Sequence, residues 1–239
     1  MNGLIALLGS GEYLPVMDDV DRYLLANCGV SERKPRVVCL PTAAGQEGDK
    51  SISRWSKMGV EHFSRLGADV QAVPVIDEKS ANDLNHATAV EEADVIYFSG
   101  GDPGYLHRTM KDSLVWQAAE KAWTRGAVYA GCSAGAMILG REIPDFRTLG
   151  MRSFSAFGVV PVAFVMPHFN AIPLFGKPLV SALRNRLKAG EIMIGIDEDT
   201  AIIGKFNEDW TVFGKAKAHI FTKDENKSYS AGEKFSLGN

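Results

Sequence analysis

The chain has 239 residues, 46% of them hydrophobic, with 26 Lys and Arg against 29 Asp and Glu and a net charge of -3. That length can bury one sizeable core, so one domain over residues 1–239 is expected. The near-balanced charge gives no field for gripping a phosphate backbone or an anionic membrane, and nucleic acid and membrane are excluded as partners. The longest apolar stretch, Ala156 to Pro167, contains two prolines and is well short of the roughly 20 unbroken residues of a membrane helix. The start, Met1-Asn2-Gly3-Leu4, lacks the basic region and cleavage site of a signal peptide. Cys28, Cys39 and Cys132 are odd in number and lack a Cys-x-x-Cys pair, which argues against a disulfide framework and against a zinc knuckle. A soluble, cytoplasmic protein is expected.

Short apolar runs alternate with helical patterns through the first 140 residues, the signature of βαβ units and a parallel sheet. Strands are predicted at Leu4 to Leu8, Arg36 to Leu40, Val70 to Val75, Val95 to Ser99 and Ala127 to Ala130. Between them, Ile52 to Leu66 reads as a helix with Ile52, Trp55, Gly59, Phe63 and Leu66 facing the sheet, although Gly59 weakens it. After Gly140 come further runs at Ala163 to Met166, Ile192 to Ile196, Ala201 to Ile203, Thr211 to Phe213 and His219 to Phe221. These read as sheet extension or hairpins, with Asp224 to Lys227 as a charged turn. The fold class is therefore α/β, a mostly parallel central sheet flanked by helices, with hairpins added in the C-terminal third.

Two glycine-rich segments fail as nucleotide loops. Gly9-Ser10-Gly11 follows the first strand, but Leu14 stands where a dinucleotide fingerprint needs its third glycine. Gly45 to Ser51 lacks the spacing and the Gly-Lys pair of a phosphate-binding loop and reads as a surface loop. His62 and His86 are expected to be solvated, and His219 to be without a role.

Gly131-Cys132-Ser133-Ala134-Gly135 lies between a strand and a helical pattern. In that setting a G-x-S-x-G turn lifts its central serine out at the carboxyl end of a sheet, although the same letters also serve as a tight turn with a capping serine. Tyr97 to Pro103 carries a glycine pair at a strand end, where a backbone amide can approach a ligand unhindered. Gly101 and Ala134 are then candidate oxyanion donors, with Gly100 and Asp102 beside them as candidate substrate contacts. His168, in Pro167-His168-Phe169-Asn170, ends an apolar strand, and an imidazole suits the task of base for Ser133. His107 is the rival, but it sits one and a half helical turns past the glycine pair and would point away. Asn170, two residues past His168, is a further candidate substrate contact. The acid that orients the base is left to Asp197, Glu198 or Asp199, which end another apolar run. The order Ser, His, acid differs from that of the α/β-hydrolases.

Four segments in order resemble the dipeptidase E and cyanophycinase family of serine peptidases: Tyr97 to Leu106, Gly131 to Ala136, Pro167 to Phe169 and Gly195 to Thr200. Gly9-Ser10-Gly11-Glu12 and Leu40-Pro41-Thr42-Ala43 are similar to it as well. The resemblance implies a class I glutamine-amidotransferase-like fold and a Ser-His-Glu triad in which Glu198 is the acid, with Asp197 as the weaker alternative. Departures lie after the histidine. The family's members carry arginines or a Gly-Glu-Thr-Arg stretch there, whereas this chain has Ala171-Ile172-Pro173-Leu174-Phe175-Gly176-Lys177.

The function expected is a serine hydrolase, a peptidase on small or unusual peptides or amides, working through an acyl-enzyme with no metal and no organic cofactor. The rival expectation is a catalytically silent ligand-binding protein on the same fold. Glutamine amidotransfer would need cysteine at the centre of the turn, and Cys132 comes one residue early. With Ile172, Pro173, Leu174 and Phe175 after the histidine, the pocket is expected not to demand an acidic side chain. Lys177 is the only nearby cation, unless Arg141, Arg147 or Arg152 folds in from the 141–155 loop. A homodimer is the assembly left open.

Overall fold

In a computed structural model, which describes residues 2–148, 151–173 and 177–237, the chain winds through β1 (Ile5–Leu8), α1 (Asp18–Ala26), β2 (Arg36–Leu40), α2 (Asp49–Arg65), β3 (Asp69–Ala72), α3 (Glu78–Ala81), α4 (Leu84–Glu91), β4 (Val95–Phe98), α5 (Pro103–Met110), α6 (Leu114–Arg125), β5 (Val128–Cys132) and α7 (Ala134–Met137). There follow β6 (Glu142–Pro144), β7 (Ser153–Ser155), β8 (Phe164–Met166), α8 (Lys177–Arg186), β9 (Met193–Ile196), β10 (Thr200–Gly204), β11 (Trp210–Gly214), β12 (Lys217–Phe221), β13 (Asn226–Ser230) and β14 (Lys234–Phe235).

The central sheet has the order β14-β11-β10-β1-β5-β4-β2-β3. Its β1, β5, β4, β2 and β3 are parallel, while β10, β11 and β14 are added antiparallel at one side. Side chains alternate between two buried faces, as both sides of a covered parallel sheet require. Ile5, Leu7, Ile96 and Phe98 join one core with Leu106, Val115 and Trp116, whereas Ala6, Leu8, Val95 and Tyr97 join the other with Val20, Leu24 and Phe63. The expected mostly parallel sheet with flanking helices and C-terminal additions is thus the fold observed.

The additions divide between two sheets. β10 and β11 extend the central one, but β8, β9, β12 and β13 form a second sheet in the order β13-β12-β9-β8. Within it β8 and β9 run parallel with Met166 opposite Gly195, so the residues that follow both strands emerge side by side.

Several expectations need correction. The strand expected over Val70 to Val75 is paired only as Asp69–Ala72, and β5 runs on to Cys132 because Leu8 pairs with it across the sheet. Within the segment expected as a 141–155 loop, β6 and β7 pair antiparallel, and the charged turn is over by Asn226, where β13 begins. The Gly45 to Ser51 loop ends at Gly48, the residue before α2. Gly59, which weakened that helix on paper, lets it approach the sheet closely, since a Cβ there would lie 2.8 Å from Cys39 Sγ.

His62 is buried, not solvated, with Nε2 2.7 Å from the carboxylate of the fully buried Asp21. It lies three residues past Gly59 on the inward face of α2, where α1 meets it. Burial pushes the Asp21 carboxyl up against the opposing pull of His62. His86 is half-buried, its Nδ1 3.0 Å from the Ser80 carbonyl oxygen.

Candidate active site

The carboxyl ends of β1, β4 and β5 meet at one edge of the central sheet, the edge where parallel α/β folds build their sites. Ser133 follows β5 with φ 49° and ψ -108°, a strained conformation for a residue with a Cβ that matches the sharp strand-to-helix turn expected of this segment. Its amide donates to the Leu8 carbonyl at 3.0 Å. His168 leaves β8 in the left-handed region, φ 51° and ψ 34°, and its amide donates to the Gly9 carbonyl at 3.2 Å. Both side chains are then turned toward each other, His168 Nε2 lying 3.1 Å from Ser133 Oγ.

On its other side the imidazole meets Glu198, which leaves β9 beside it: Nδ1 lies 2.8 Å from Glu198 Oε1. Of the three carboxylates left open by the sequence, Glu198 is the one in contact with the histidine. Asp197 is buried and occupied elsewhere, one oxygen 3.0 Å from His219 Nε2 and the other accepting the Lys217 N–H at 3.1 Å. His219, expected to be without a role, holds Asp197 and Ser228, and its ring packs 4.8 Å from that of Phe169. Asn170 does not line the cleft beside Ser133; its Oδ1 accepts the Glu198 N–H at 2.8 Å and so steadies the Glu198 backbone. His107 turns away from Ser133 and packs on Phe157 with ring centroids 4.7 Å apart, its pKa lowered by burial and by Lys111 and Arg108.

The glycine pair arrives from β4. Gly101 has φ +141°, and a Cβ there would collide with the Ala43 carbonyl, so only glycine fits. Among the described residues the Gly101 and Ala134 amides meet no acceptor, and Ala134, as the first residue of α7, has none within its helix. The Gly100 amide, by contrast, donates to Glu12 Oε1 at 2.9 Å. Asp102 lines the cleft while its carboxylate caps α5 through the Tyr105 N–H at 2.7 Å.

Glu12 is the residue near the site to which sequence reasoning gave no part. Its second oxygen accepts from the Cys132 thiol at 3.0 Å. Burial, then Glu12, pushes that thiol far above its ordinary pKa, which keeps Cys132 protonated and unsuited to nucleophilic attack. The signal available was a carboxylate in a glycine-rich loop straight after the first strand.

Ser133, His168, Gly101 and Asp102 open into a cleft of about 740 Å³, walled by Met137, Phe146, Met166, Ile172 and Leu179. None of the described lining residues is Arg or Lys. Arg141 pairs with Glu191 at 2.8 Å and Arg147 with Asp145 at 3.3 Å, while Arg152 is exposed and absent from the lining. Ile172 and Pro173 line the cleft as expected. Leu174, Phe175 and the Lys177 side chain lie outside the described residues. Among the described residues no group of His, Cys, Asp and Glu could hold a metal ion, and no helix is long and apolar enough to cross a membrane.

Known proteins are similar to this chain to differing degrees. Cyanophycinase from Geminocystis herdmanii is 27% identical over 197 residues, covering 77% of this chain and 68% of that protein. Peptidase E from Citrobacter koseri is 28% identical over 149 residues, 61% of this chain and 62% of its own length. The crystal structure of a peptidase from an acI-B1 actinobacterium is similar over 99% of this chain and 97% of that one, with a TM-score of 0.89 and 36% identity. The sequence profile of peptidase family S51 matches residues 5–208, and the chain is therefore a member of peptidase family S51, a serine-type peptidase.

Proposed function

We propose that this peptidase cleaves small or unusual peptides through Ser133, His168 and Glu198 and a covalent acyl-enzyme, in the cytoplasm. The observation that carries the reading is the unbroken relay from Ser133 Oγ through the imidazole to Glu198, with contacts of 3.1 and 2.8 Å. Ser133 Oγ attacks the scissile carbonyl as His168 Nε2 takes its proton, and the oxyanion that forms is met by the Gly101 and Ala134 amides. Glu198 holds the Nδ1–H and stabilises the imidazolium. His168 then gives its proton to the leaving amine as the C–N bond breaks. Water, deprotonated by the same imidazole, hydrolyses the ester and returns Ser133 to its starting state. The three buried cysteines, each a free thiol, support the cytoplasmic setting.

The apolar cleft wall supports substrates with apolar or small groups beside the scissile bond, and the Asp102 carboxylate on its rim disfavours an acidic one. Replacing the nucleophile is the decisive experiment. Ser133→Ala should lower kcat on a cleavable dipeptide by about 10⁶-fold with the fold intact, and a fluorophosphonate should label wild type but not the variant. Wild-type hydrolysis by Ser133→Ala would refute the mechanism.

A further inference from the structure

The loop after β1 supplies no group to the chemistry above, yet it holds every segment that does. The Gly9 carbonyl accepts the His168 N–H at 3.2 Å, and Ser10 Oγ accepts the N–H of Asp199, next to the acid, also at 3.2 Å. Glu12 reaches the other two segments with one side chain, Oε1 to the Gly100 N–H and Oε2 to the Cys132 thiol. A carboxyl group that is only 9% exposed is costly unless each oxygen finds a donor. Here each does, and the donors belong to the segments that carry Gly101 and Ser133.

We propose that Glu12 is a positioning residue that sets the distance between the nucleophile and the oxyanion donor, an inference that rests on the Ser133 reading. Three consecutive amides make the case. The Gly100 N–H is tied to Glu12 and the Asp102 N–H to the Ala43 carbonyl at 2.9 Å, which leaves the Gly101 N–H between them as the one without an acceptor. Tying the outer two fixes the peptide planes that orient the middle one. The same carboxylate grips Cys132, the residue before Ser133, so a single rigid group spans from donor loop to nucleophile turn. An oxyanion donor acts in proportion to how well it is aimed, and a displacement of about 1 Å can cost about 100-fold in rate.

The test is steady-state kinetics of Glu12→Ala, Glu12→Asp and Glu12→Gln on a dipeptide that wild type cleaves, beside the inhibition constant of a peptide boronic acid, which mimics the tetrahedral adduct. Glu12→Ala should lower kcat by about 10- to 100-fold with KM little changed, and weaken the boronic acid by a similar factor. Glu12→Gln keeps an oxygen for the Gly100 N–H and should recover most of the loss. Glu12→Asp keeps a carboxyl group but cannot span both donors and should stay impaired, so it decides the question if Glu12→Ala does not fold. Folded Glu12→Asp and Glu12→Ala with wild-type kcat would overturn the proposal, as would a loss confined to KM or one that Glu12→Gln fails to rescue. If Ser133→Ala is dead and the Glu12 variants are normal, this inference alone falls. If Ser133→Ala is active, both fall.

Discussion

Ser133 and His168 are the two cleft residues held at positive φ without being glycine, each at a cost of roughly 1–3 kcal/mol that only a surrounding structure can impose. Here the imposition is visible, because the Ser133 and His168 amides are tied to consecutive carbonyls at the end of β1, Leu8 and Gly9. Glu198 is governed differently. Asp197 and Glu198 are neighbours at a strand end and face opposite ways, so Glu198 meets the imidazole while Asp197 is enclosed with His219. Glu198→Gln should therefore lower kcat by on the order of 10²–10⁴-fold without altering the melting temperature much. Asp197→Asn should leave kcat near wild type and lower the melting temperature by about 2–4 °C, the effect of losing roughly 1 kcal/mol in a chain of this size. Kinetics and thermal melts of the two variants check this, and the reverse pattern would move the acid by one residue. The sequence left this choice open for a physical reason: which of two adjacent carboxylates faces a histidine about 30 residues away depends on the register of β8 and β9, a long-range property.

Among the elements, strands with buried faces were legible and their partners were not. β1, β2 and β4 show as apolar runs because both faces of a covered sheet are apolar. The runs at β8 and β9 read equally well, yet nothing in them says that they leave the central sheet for a second one. The β6–β7 hairpin has no signature in the sequence, since its strands of three residues carry Glu142, Pro144, Ser153 and Ser155 and show no alternation long enough to detect. That hairpin matters to substrate choice. Its connecting turn carries the exposed Phe146 into the cleft wall, and Arg141 beside it is committed to Glu191. With no described cation in the lining to pair with a carboxylate, kcat/KM for Leu-Xaa should equal or exceed that for the matched Asp-Xaa dipeptide. A preference for aspartate above roughly tenfold, about 1.4 kcal/mol of transition-state binding, would mean that a cation reaches the substrate from elsewhere in the chain.

Over the whole molecule, carboxylates outside the cleft lining set how the fold responds to acid. Among the described residues, four carboxylates are held below their ordinary pKa. Asp18 on α1 is lowered chiefly by its paired contacts with Arg65 of α2, both 2.6 Å, and Glu191 by the Lys188 amide and then by Arg141. Asp77 is lowered by the Ser80 side chain and amide, and Asp83 by the amides of Asn85 and His86. A carboxylate whose folded pKa lies below its unfolded value stabilises the fold above the unfolded value, and that contribution is lost as pH falls through the folded one. Asp21 has the opposite sign, because burial raises it, but it is one group against four. The melting temperature should therefore fall as the pH is lowered from about 5 to about 2. Asp18→Asn and Glu191→Gln, which are neutral at every pH, should melt lower than wild type near neutrality and converge on it in acid. Calorimetric melts of the three proteins across that range decide the matter: a melting temperature that holds or rises on acidification would show that the buried Asp21, and not the four lowered carboxylates, dominates the acid response.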